Sequence, residues 1–306
     1  MRRGGFQPAP TLDFIDMNRR TIIEGIVALA ILALLFVLLN PDNVLGEYKL
    51  RFWWQNAYLW LGIVVGAFVV LGIHELGHLL VGLREGFQFQ LFVVGPLGVR
   101  RGERGIEWYL NRDVNYYGGV AATSPRTDAE NNATKFARVL LAGPLASLLL
   151  GVALILLAWW LHSGVLAMVV YTAGMISFAI FVATTVPSRT GAFYTDRARY
   201  QRLTQPGIAQ EEELAILHLM GSYAQHNSYR HVQPDRIDQL TRSEDDFMRY
   251  YGWFNQVAYE HQVIGSIDEL SLRRYRNTSR KVSPAMVKVF DQELTKLGVV
   301  LPEEVA

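Results

Sequence analysis

Three titratable side chains stand inside the apolar run "VVLGIHELGHLLVGL", Val69 to Leu83. They form His74-Glu75-Leu76-Gly77-His78, an H-E-x-x-H pattern. On a helix, positions i and i+4 share a face, so both imidazoles can reach one zinc ion. Glu75 lies one residue round from the first imidazole, where it can take a proton from a water attacking a carbonyl. In a soluble helix the same residues could be a solvated face. Inside a membrane span that alternative is closed, because ionisable groups there are costly and usually functional. The chain has no cysteine, so any metal must be held by histidine and carboxylate.

Four apolar runs are long enough to cross a bilayer as helix. They are Ile22–Leu39, Ala57–Leu83, Val139–Leu161 and Val165–Val186. The first follows Arg2, Arg3, Arg19 and Arg20, but it is longer than a signal-peptide core and lacks a small-x-small cleavage site. It reads as an uncleaved span. Basic residues concentrate in the N-terminal tail, in the 84–135 loop and after the fourth run, while the 41–56 loop has Lys49 and Arg51 alone. The positive-inside rule then places both termini and the 84–135 loop in the cytosol. With a formal net charge of +1 there is no global electrostatic case for nucleic acid.

The expected fold is thus an α-helical integral membrane protein with four transmembrane helices and a cytosolic α-helical domain. Residues 1–20 read as a flexible cytosolic tail, 21–203 as the membrane-embedded domain and 204–306 as the helical domain. Between spans two and three, "FQFQLFVVGPLGVRRGERGIEWYL" (Phe87 to Leu110) alternates apolar and polar residues and turns at 102–105. It predicts a small β-sheet or hairpin beside the membrane. Beyond residue 204, Ser243-x-x-Asp246 and Ser266-x-x-Glu269 read as capping-box starts, and Ser283-Pro284 as a cap with proline in the first turn.

Two histidines leave a ligand missing. His162 falls on the far side of the membrane, and the histidines beyond residue 204 read as surface groups. Asp196 lies on the cytosolic side just past the fourth span, as one of several acidic residues.

The H-E-L-G-H motif in a membrane helix resembles the site-2 protease family of intramembrane zinc metallopeptidases. Three further stretches resemble that family in order: "YYGGVAATSP" (Tyr116 to Pro125), "AGPLASLLLG" (Ala142 to Gly151) and "VPSRTGAFYTDRARYQRL" (Val186 to Leu203). They correspond to the Gly-Gly stretch after a membrane-associated β-hairpin, to a G-P-x-x-N segment and to a last motif with a ligand aspartate. The resemblance implies a zinc endopeptidase acting in or near transmembrane segments, with His74, His78 and Asp196 as metal ligands and Glu75 as catalytic base. Ser147 stands where the family usually has asparagine, and Arg197 where it has glycine. The Asn-Pro that opens the last motif is reduced to Val186-Pro187.

Such chemistry needs water at the metal and an unwound substrate. A strand edge can hold an extended peptide, so the hairpin at 87–111 reads either as a substrate clamp, with Gly118, Gly119 and Ser147 as contact positions, or as a plain structural flap. The expected partners are a membrane-protein substrate, the lipid bilayer and a regulatory partner on the helical domain. The expected location is the cell membrane if the source is a prokaryote. An inactive relative serving as a membrane-protein scaffold is the alternative. The intact Glu75 argues against it, because a scaffold needs no general base.

Overall fold

The computed structural model describes residues 23, 26, 27, 30, 33, 34, 37 and 53–301 except 103, 104, 191 and 192. The expected tail 1–20 and most of the first span therefore lie outside the described residues. The positions of that span that are described are helical and exposed.

Three long helices follow the sequence expectation for spans two to four: α1 (Trp53–Arg84), α2 (Asn132–Leu161) and α3 (Val165–Thr185). Each is long and apolar enough to cross a membrane. Much of their outer surface is bare leucine and valine, including Leu61, Val65, Val69 and Leu80 on α1. Helix α2 begins seven residues before its predicted apolar start, Val139. The extension is about two turns. Its Phe136 packs on Phe87 and on Leu203 and Leu217 of the later helices.

The predicted β region is a four-stranded antiparallel sheet, ordered β3-β2-β1-β4. Strands β1 (Gln88–Val94), β2 (Leu97–Gly102) and β3 (Gly105–Leu110) come from the alternating stretch. The β2–β3 turn falls within 102–105 as expected, with Gly102 paired to Gly105. The fourth strand, β4 (Val120–Ser124), grows out of the Gly-Gly stretch and pairs with β1.

After α3 the chain makes a small hairpin, β5 (Arg189–Thr190) and β6 (Phe193–Tyr194), and enters α4 (Asp196–Thr204). Five more helices follow: α5 (Ile208–His226), α6 (Pro234–Thr241), α7 (Asp246–Tyr259), α8 (Glu269–Ser279) and α9 (Pro284–Lys296). They enclose a core that includes Leu219, Ile237, Leu240, Tyr250, Val257, Tyr275 and Leu294. Ser283 caps α9 as predicted. The other two starts differ: Asp245 caps α7 and Asp268 caps α8. A carboxylate nearer the helix outcompetes the earlier serine for the first backbone amides, and Ser243 instead donates to Glu212.

Candidate metal centre

Helix α1 presents His74 and His78 one turn apart, both buried, with their rings edge to face and centroids 5.0 Å apart. Asp196, the first residue of α4, comes up against them. Its Oδ2 lies 3.3 Å from Nε2 of His74, and its Oδ1 lies 3.3 Å from Nε2 of His78. The donor atoms of the three residues fall within 4.8 Å of one another. Ligands at about 2.0–2.1 Å in a tetrahedron stand about 3.3–3.4 Å apart, so the spacing suits zinc.

The far nitrogens of both rings are anchored. Nδ1 of His78 donates to the backbone carbonyl of Val139 at 2.7 Å. A carbonyl can only accept, so the neutral ring keeps its proton on Nδ1 and turns the Nε2 lone pair toward Asp196. Nδ1 of His74 lies 2.9 Å from Oγ of Ser147, whose own carbonyl accepts from Ser177. Pro144 stands inside α2 and cannot bond back to Leu140. The residues just before it supply both the Val139 carbonyl and Gly143. A Cβ at Gly143 would overlap Nε2 of His78.

A helix-capping aspartate is the ordinary alternative for Asp196, and the geometry rejects it. The cap residue is Thr195, and Oδ2 of Asp196 is buried without a hydrogen-bond partner. Thr195 instead closes the α3–α4 connection, its backbone N–H donating to Ser188 and its hydroxyl to Val186 at 3.0 Å each. A carboxylate that turns one oxygen toward each Nε2, with its buried Oδ2 lacking a hydrogen-bond partner, fits a divalent cation.

Residues 62–301 match peptidase family M50. The chain belongs to that family. M50 is the site-2 protease family of membrane-embedded zinc metallopeptidases, as the four sequence stretches implied. No curated protein and no solved structure matches the chain.

In this M50 chain the remaining expected positions fall in two places. Glu75 is buried, and Gly119 presses against it with φ +95°. A Cβ at Gly119 would come 2.8 Å from Oε1 of Glu75. Gly118 is exposed beside it, with open space around its backbone. Ser147 is fully buried on α2, against His74. Sequence reasoning missed the Val139 carbonyl and the fit of Gly143 to His78.

Proposed function

We propose that the chain is an intramembrane zinc endopeptidase that cleaves peptide bonds in or near transmembrane segments of other proteins. The observation that carries this reading is the convergence of His74, His78 and the unpartnered Asp196 oxygen, with Glu75 beside them. A zinc ion held by those three residues supplies Lewis-acid polarisation of the scissile carbonyl. The Glu75 carboxylate accepts the proton of the attacking water and returns it to the leaving amine. The Val139 carbonyl holds His78 in the tautomer that faces the centre, and the Ser147 hydroxyl against Nδ1 of His74 orients that ring.

Strand β4 is the better candidate for gripping substrate than the hairpin at 87–111. It runs along α1, with Gly119 against Glu75 and Thr123 against Gly82. It pairs with β1 on one side, and no strand covers its other edge among the described residues. An extended peptide added there would lie beside the catalytic base. Leu97, Ile106, Trp108 and Leu110 share one exposed face of the sheet, which supports placing it against the bilayer.

The test compares cells expressing the wild type or Glu75→Gln, mapping new protein N-termini in the membrane fraction by mass spectrometry. New termini within or beside transmembrane segments are expected with the wild type alone. Loss of the base should slow cleavage roughly 10²–10⁴-fold, while zinc content of the purified variant stays unchanged. Identical termini in both cell lines would leave the scaffold alternative standing.

A further inference from the structure

Helix α4, which begins with Asp196, is held on another side by buried carboxylates that belong to neither the metal centre nor Glu75. Glu213 on α5 is only 1% exposed and divides its two oxygens between two α4 arginines. Its Oε2 lies 3.2 Å from Nε of Arg199, and its Oε1 lies 3.2 Å from Nε of Arg202. Arg202 also reaches Glu212 at 2.8 Å, and Glu212 accepts from the Ser243 hydroxyl. The Arg199 guanidinium stacks on the Phe136 ring of α2, 4.7 Å from its centroid. A second grip holds the segment just before Asp196. The Tyr194 hydroxyl donates to Asp245, which also pairs with Arg189 at 3.0 Å.

These contacts leave α4 one register. Two adjacent buried carboxylates repel each other and are costly without a cation. Sliding α4 by one residue, about 1.5 Å along its axis and about 100° around it, would take both arginines off them. Asp196 lies one turn before Arg199 on the same rigid nine-residue helix. Its carboxylate therefore goes where the arginines are pinned.

We propose that Glu213 and Asp245 are positioning residues for Asp196, so that the helical region sets the affinity of the metal centre by fixing the register of α4. The proposal rests on reading Asp196 as a zinc ligand. Neither carboxylate is paired with His74, His78 or Glu75 among the described residues.

The experiment measures zinc affinity of the full-length protein in detergent by competition with a chromophoric chelator, and thermal unfolding on the same samples. Glu213→Gln and Asp245→Asn should each weaken zinc binding roughly 10-fold, the lower end for residues that orient ligands from outside. If Glu213→Gln does not fold, Asp245→Asn carries the test, because asparagine keeps the Oδ1 that caps α7. Asp291→Asn is the control. It breaks the Arg276–Asp291 pair between α8 and α9, and should lower the melting temperature with zinc affinity unchanged. Wild-type affinity in the two positioning variants, or an equal loss in Asp291→Asn, would overturn the proposal. Asp196→Ala is run in parallel. If it too keeps zinc, the ligand assignment itself is wrong, and that result is distinct from a failure of the positioning residues alone.

Discussion

At Gly143 a Cβ would stand 2.6 Å from both Cδ2 and Cε1 of His78, far inside van der Waals contact. Two glycines, one on each side of α1, thus leave room for different parts of the same chemistry. Gly143→Ala should push the His78 ring off its line to Asp196 and empty the site of zinc. Gly119→Ala meets both the positive φ and the Glu75 carboxylate, and should cut cleavage while zinc stays bound. Metal analysis of the two purified variants, alongside their cleavage activity, checks the contrast. Zinc retained in Gly143→Ala would mean that α2 can back away from His78. The H-E-x-x-H spacing made the two histidines and the glutamate legible from the chain alone. The glycines were not, because a missing Cβ has meaning only against the side chain that would meet it.

Among the elements, the crossing of α1 and α2 matters most, because it carries His78 to the Val139 carbonyl. Gly77, inside the motif itself, sits at the crossing point. A Cβ there would come 2.7 Å from the Ala142 carbonyl and 2.8 Å from Cβ of Ala146. Close approach of this kind, between small residues, is how helices associate where lipid offers no hydrophobic drive. Gly77→Ala should therefore destabilise the protein by about 1–3 kcal/mol through overpacking, read as a lower melting temperature in detergent. An unchanged melting temperature would show that the crossing has slack. On α8, Arg273 pairs with Glu269 on an exposed face, while Arg276 reaches across to Asp291 of α9.

For the whole molecule, the helical region is packed onto the membrane helices and the sheet. His218 on α5 pairs with Asp128 at 2.7 Å, just past β4, and Gln225 accepts from the Asp128 backbone N–H. Phe87, Phe136, Val139, Leu203 and Leu217 form one core that joins the α1–β1 connection to α2, α4 and α5. The charge bias predicts that this assembly faces the cytosol. Reporter fusions after residues 20, 100 and 300 should read cytosolic, and one near residue 48 external. An external signal at residue 100 would put the sheet on the opposite side from the basic loop and reverse the orientation.

The sequence by itself determined the three apolar helices, the sheet-forming stretch and the motif histidines with Glu75, because hydropathy, alternation and i,i+4 spacing are properties of neighbouring residues. Asp196 entered as one acid among several. The family resemblance singled it out, and the structure placed it, since a contact between residues 78 and 196 depends on how α3 returns and where Thr195 ends the turn. Ser243 and Ser266 misread as caps show the same limit at short range, where a nearer aspartate took the backbone amides. The two carboxylates behind α4 were invisible for a related reason. Nothing in their spacing sets Glu212 and Glu213 apart from surface acids, and folding buries them against Arg199 and Arg202. Burial, which turns a charge from solvated to demanding a partner, is decided by the tertiary structure alone.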